Sequence, residues 1–187
     1  MLRNTATGWG WPAKLLHWSM ALLVVGQWAL GVHMVSLGDD QLVRKFQLYQ
    51  LHKSLGLTLL ALALLRLLWR ASGPVPDLPP TVPRWQRAAA RASHRALYLL
   101  MLALPVTGFL MAAASPLGIP TTWFGLVRIP HPIGPDARLE EILKLVHGTL
   151  AWTLAALVVL HVGAALKHHL LDRDEVLRRM LPGSGAR

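Results

Sequence analysis

Nine histidines stand in a chain of 187 residues that has no cysteine. Four of them, His17, His52, His147 and His161, fall inside long apolar runs, where an ionisable side chain is expensive and needs a reason. His147 and His161 share one run and are 14 residues apart. On a helix that is roughly 21 Å of rise and nearly a whole number of turns, so both imidazoles point to one side at two depths. With the runs laid antiparallel, His17 falls at the depth of His161 and His52 at the depth of His147. The expected arrangement is two histidine pairs stacked along one bundle axis.

Two ligands per level restrict the chemistry. Zinc and copper sites recruit three or four protein ligands at close range, and the apolar runs contain no carboxylate to complete such a shell. Without cysteine, disulfides, iron–sulfur clusters, zinc–thiolate sites and covalently attached haem are excluded. Haem needs only two axial ligands, and its flat apolar body suits the interior of a helix bundle. One intramembrane histidine is explained as well by an interhelical hydrogen bond. Four at two matched depths on three helices are not, and a proton relay would be expected to use acids that these runs lack. The expected cofactors are therefore two haem b groups, with His17, His52, His147 and His161 as the iron ligands. Gly56, Gly148 and Gly163, beside these ligands, are expected to leave room for the macrocycles. Arg66 lies 14 residues after His52 and so shares its face at the inner depth, placed to pair with a haem propionate.

The remaining histidines carry less. His33 is 16 residues after His17, about 160° around the helix and away from the interior. His131 sits in a loop and reads as solvated, and His169 as interfacial. His94 and His168 fall at the inner surface, where each is placed either to meet a propionate or a quinone carbonyl, or to snorkel among neighbouring cations.

Four apolar runs must position these residues: about 15–37, 48–69, 94–115 and 142–166. Each is long enough to cross roughly 30 Å of hydrocarbon as a tilted helix. The first exceeds a signal-peptide core and lacks a small-x-small cleavage site. Proline-rich loops separate the second from the third (Pro74, Pro76, Pro79, Pro80, Pro83) and the third from the fourth (Pro116, Pro120, Pro130, Pro132, Pro135). Pro105 and Gly108 mark an expected kink in the third. The expected fold is all-α: a single integral membrane four-helix bundle without a soluble domain. The composition agrees, with 53% hydrophobic and only 15% charged residues against about a quarter charged in soluble domains. Several of the eight tryptophans, among them Trp9, Trp11 and Trp18, sit at run ends, as interfacial anchors do.

The net charge of +10 admits a nucleic-acid partner on its own. The cations, however, form bands between apolar runs, which points to a lipid partner and away from nucleic acid. The termini and the second loop carry Arg3, Lys14, Arg70, Arg84, Arg87, Arg91, Arg95, Lys167, Arg173, Arg178, Arg179 and Arg187. The first and third loops, with the adjoining helix starts, carry Arg44, Lys45, Lys53, Arg128, Arg138 and Lys144. Twelve against six puts both termini in the cytoplasm.

The chain resembles bacterial cytochrome b561, a family of four-helix di-haem quinone oxidoreductases, and within it the superoxide oxidase type. The resemblance rests on Leu16-His17-Trp18, Leu51-His52, Arg66-Leu67-Leu68-Trp69-Arg70, His94 with Tyr98-Leu99-Leu100 and Ala103-Leu104-Pro105-Val106, His147-Gly148-Thr149-Leu150-Ala151, His161 through Lys167-His168-His169, and Leu177-Arg178-Arg179-Met180-Leu181-Pro182. These pieces cover nearly the whole chain. The resemblance implies the same four histidine ligands, ubiquinone as electron partner and residence in the inner membrane. For the superoxide oxidase type it implies that an electron passes from periplasmic superoxide to ubiquinone. Lys53, Arg128 and Lys144 would then draw the superoxide anion toward the outer haem. Two rivals remain at this point: a haem-bearing anchor subunit fed by a periplasmic dehydrogenase, and a non-haem proton carrier.

Overall fold

A computed structural model describes residues 1–79 and 81–183; Pro80 and Arg187, used above for the loop and for the charge balance, lie outside them. Four helices make up the body: α1 (Trp11–Ser36), α2 (Leu42–Ala71), α3 (Arg84–Ala114) and α4 (Ala137–Leu170). Each is long and apolar enough to cross a membrane. Pro12 opens α1, where its fixed φ suits the first turn. The Asp136 carboxylate accepts from the Leu139 N–H at 3.0 Å and caps α4.

The helices extend beyond the apolar runs. α3 begins at Arg84 rather than near His94, and α4 at Ala137 rather than Ile142. Hydropathy marks where a helix meets hydrocarbon. It does not mark where the backbone stops being helical, and arginine, glutamine and alanine in Arg84–Arg91 are good helix formers. α3 also runs as one helix through Pro105 and Gly108.

The helices pack in chain order, α1 on α2, α2 on α3 and α3 on α4, while α4 returns to α1 only lightly. Met20, Val24, Leu59, Ala63, Leu100 and Leu154 form the buried core at mid-height. The outward faces are apolar, with Leu22 75% and Leu160 68% exposed, as lipid-facing positions require.

One end of the bundle joins both termini to the second loop. The Asp77 N–H donates to the Ala6 carbonyl (3.1 Å), Arg179 Nη1 to the Asp77 carbonyl (2.9 Å) and the Trp18 indole N–H to the Met180 carbonyl (2.9 Å). The opposite end is closed by strands, where the proline-rich sequence predicts only a loop. Thr121–Trp123 (β1) and Val127–Ile129 (β2) pair antiparallel as a small hairpin. β-branched residues and tryptophan favour the strands, and Gly125 supplies a positive φ of 72° in the turn. The hairpin is tied to α2: the Phe124 N–H donates to Ser54 Oγ (3.0 Å), Lys53 Nζ to the Pro120 carbonyl (3.1 Å) and the Trp123 indole to Thr58 Oγ1 (3.1 Å).

Candidate functional site

The bundle brings the four intramembrane histidines into two pairs. His17 on α1 and His161 on α4 have ring centroids 6.2 Å apart with planes turned by 65°. His52 on α2 and His147 on α4 are 6.3 Å apart, turned by 80°. The steep angles exclude stacking. Two imidazoles on opposite sides of one metal would have centres about 6 Å apart, from bonds of about 2 Å and roughly 1 Å between each nitrogen and its ring centre. Both pairs match that spacing, and α1 and α4, which carry His17 and His161, touch only lightly. His52 Nδ1 is buried without a hydrogen-bond partner among the described residues, which marks a donor set that the polypeptide does not complete. The residues present therefore fit a bis-histidine haem at each level.

Two further glycines lie against the imidazoles of the outer pair. A Cβ at Gly108 would lie 3.0 Å from His147 Cε1, and one at Gly31 3.3 Å from His52 Cε1. Gly56 instead faces Gln27 Nε2 at 3.3 Å, and Gly148 and Gly163 meet no atom of the described residues within 4 Å. Sequence neighbours of a helical histidine point about 100° away from it, so the notches had to come from the facing helices. Gln27, on α1, donates to the His52 carbonyl at 2.8 Å and so joins α1 to α2 beside this pair. His147 Nδ1 is 3.1 Å from Thr107 Oγ1.

The inner pair has a third imidazole beside it. The His94 ring centroid is 5.4 Å from that of His161. Arg66 lies within electrostatic reach of His17, His94 and His161. Its Nε donates to the Tyr98 hydroxyl at 2.9 Å, and the guanidinium carbons of Arg66 and Arg70 each stand 5.9 Å from the Tyr98 ring centre. Tyr98 and Arg70 were not singled out from the sequence as site residues. His168 is turned to carboxylates of the segment after α4: its Nδ1 lies 2.6 Å from Asp174 Oδ2 and 3.3 Å from Asp172 Oδ2. His33 is exposed on α1.

At the hairpin end, Arg128 and Lys144 are exposed and Lys53 is partly covered by the hairpin. Arg128 and His131 line a hollow of about 310 Å³ with Gly118, Pro120, Ile129 and Pro130. His131 is less open than a solvated loop residue: its Nε2 is 3.0 Å from Thr121 Oγ1 and its ring meets Phe109 edge-on at 5.8 Å. The hairpin fold produces both contacts. Desolvation, followed by the nearby charges of Lys53 and Arg128, lowers the pKa of His131 below 6.5. With the folded pKa below the unfolded one, the unfolded chain takes up the proton first as pH falls. Stability is unaffected well above about pH 6.5 and is lost as pH falls through it. The unfolding midpoint of the wild type is expected to drop further than that of His131→Gln between about pH 7.5 and 5.5. Equal drops in a thermal melt would remove His131 as the cause.

Membrane-length helices that bring imidazole pairs together inside a bundle define a membrane cofactor-binding helix bundle. A family model described as "Prokaryotic cytochrome b561" matches residues 8–183. "Cytochrome b561 homolog 2" of Escherichia coli (strain K12) is 37% identical over 184 residues, 98% of this chain and 96% of that protein. "Cytochrome b561 homolog 1" of the same organism is 33% identical over 131 residues, 70% and 73% of the two chains. "Probable superoxide oxidase CybB" of Yersinia pestis is 30% identical over 169 residues, 89% and 92%. The chain belongs to the prokaryotic cytochrome b561 family, and is a multi-pass inner-membrane electron-transfer protein of the haem b type.

Proposed function

We propose that this cytochrome holds two haem b groups and moves electrons from the periplasmic side to ubiquinone, taking them from superoxide. Two imidazole pairs at one-metal spacing and at two depths carry the reading. His52 and His147 hold the outer group and His17 and His161 the inner one. The excess of cations at the end that joins the termini supports a cytoplasmic location for that end and a periplasmic one for the hairpin. The haems, when bound, supply one-electron carriers at the two levels.

The chain's own residues do the rest. Arg128 and Lys144 on the exposed periplasmic end, with Lys53 under the hairpin, attract a small anion toward the outer pair. Arg66, beside the inner imidazoles, keeps guanidinium N–H groups free of Tyr98 for a propionate. His94 and His168 serve the quinone at the cytoplasmic end. An imidazole backed by a carboxylate, as His168 is by Asp174, suits delivery of protons to a quinone oxygen. Two superoxide anions each lose one electron to become oxygen, and ubiquinone gains two electrons and two protons to become ubiquinol. The Yersinia pestis relative, named a probable superoxide oxidase, supports this choice of donor.

The test mixes the purified holoprotein with superoxide and follows haem reduction and quinone consumption. Lys53→Gln, Arg128→Gln and Lys144→Gln together are expected to slow reduction about tenfold at low salt, and the gap should close at high salt. A rate that is the same in both proteins at every ionic strength would sink the steering role. A wild type that is inert to superoxide but copurifies with a periplasmic dehydrogenase would instead make it an anchor subunit.

A further inference from the structure

The outer pair is held asymmetrically. His52 Nδ1 has no partner among the described residues, whereas His147 Nδ1 meets Thr107 Oγ1 at 3.1 Å. Thr107 lies one turn from Leu104 on α3, and its hydroxyl donates to the Leu104 carbonyl at 3.0 Å. A hydroxyl has one proton and two lone pairs. With that proton given to a carbonyl, which can only accept, Oγ1 has only lone pairs to offer the imidazole. The proton between Thr107 and His147 therefore sits on Nδ1, and Nε2 keeps its lone pair. The neighbouring residue on the same helix, Gly108, opens the notch against which the ring rests. Thr107, the Leu104 carbonyl that is also within hydrogen-bond reach of His147, and Gly108 together set the tautomer and the position of one imidazole from a helix that carries no member of either pair.

We propose that Thr107 is a positioning residue for the outer haem, which keeps His147 as the Nδ1–H tautomer and presents Nε2 to the iron. This rests on His147 being an axial ligand, as proposed above. A ligand that donates a hydrogen bond from its far nitrogen is a stronger donor to the metal. Stronger donation favours oxidised iron, so Thr107 lowers the potential of the outer haem relative to the same site without the hydroxyl. Such a lowering adds to the driving force for electron movement from the outer level toward the inner one.

The test is a spectroelectrochemical titration of the intact holoprotein and of Thr107→Val, Thr107→Ala and Thr107→Ser, with haem counted by pyridine haemochrome. His52→Ala, which should keep only the inner haem, identifies which wave belongs to which level. Valine and alanine are expected to raise the outer potential by an amount equal to about a tenfold change in the oxidised-to-reduced ratio, about 59 mV for one electron. The inner wave should stay in place, and serine should restore the wild-type value. Loss of the outer haem in valine and alanine but not in serine also supports the positioning role. Two haems with both waves unmoved in valine and alanine would overturn it, as would loss of the outer haem in serine. If neither hydroxyl-free variant folds, the wild-type redox-difference infrared spectrum with ¹⁵N-imidazole histidine decides, because a ring C–N stretch reports hydrogen bonding at Nδ1. A single non-hydrogen-bonded population for the outer ligands would overturn the proposal. Two haems retained in His147→Ala would defeat the ligand reading instead, whatever Thr107 does.

Discussion

Alanine at His52 or His147 is expected to leave one haem per chain where the wild type has two, and alanine at His17 or His161 should do the same at the other level. Doubles separate the two levels more sharply than singles. His52→Ala with His147→Ala removes two ligands of one site and should still leave one haem. His52→Ala with His161→Ala removes one ligand from each site and should leave none, or only weakly held haem. Both doubles delete two imidazoles, so general damage predicts the same loss for both. The physical basis is the spacing of 6.2 Å and 6.3 Å within pairs whose members lie on different helices. Pyridine haemochrome and reduced-minus-oxidised spectra provide the measurement, and equal haem content in the two doubles would break the assignment of pairs. Each retained haem should also keep its own potential, because Thr107 touches His147 at one level and His94 lies beside His161 at the other.

The pairing was legible in the sequence because helices impose a fixed rise and rotation per residue. Fourteen residues between His147 and His161 define two depths on one face wherever α4 sits. The facing partners followed from antiparallel order alone. What was not legible depends on which side chains face each other across helices. Gly31 and Gly108 make notches because α1 approaches α2 and α3 approaches α4 at those points, and single-chain spacing has no measure of that. Gly148 and Gly163, expected to leave room for a macrocycle, meet no atom of the described residues within 4 Å, whereas Gly56 faces Gln27. The hairpin at 121–129 was hidden for another reason: three-residue strands fall below any detectable alternation, and the prolines around them read as irregular. Asp172 and Asp174 reach His168 because Arg173, at a φ of 51°, turns the chain back on the end of α4.

Among the glycines beside the histidine pairs, Gly108→Ala should be the most damaging to haem binding. Its Cβ would stand 3.0 Å from His147 Cε1 and 3.4 Å from Nδ1. The first is closer than a carbon normally approaches, so the imidazole or α3 must give by a few tenths of an ångström. Overpacking of this kind costs about 1–3 kcal/mol in a core. Here the displaced group is also a proposed ligand and the partner of Thr107, so haem affinity at the outer level should fall about 10- to 100-fold. Gly31→Ala presses His52 Cε1 at 3.3 Å and should have a smaller effect in the same direction. Gly148→Ala, next to the same histidine in sequence but facing open space, should keep full haem content. Haem titration of the three apoproteins ranks them, and a Gly108→Ala chain that binds haem like the wild type would mean the notch is slack.

Two haems at the proposed levels would also make the protein sensitive to voltage. The 14 residues between His147 and His161 span roughly 21 Å of the roughly 30 Å hydrocarbon layer. In the proposed orientation, an electron carried from the outer pair to the inner pair crosses about two-thirds of the membrane dielectric, toward a cytoplasm that is electrically negative. At about 2.3 kcal/mol per charge per 100 mV, a fully energised membrane opposes that transfer by about 1.5 kcal/mol for each 100 mV. Collapse of the potential should thus accelerate inward electron flow, while the same chain in an energised cell works against the field that respiration maintains.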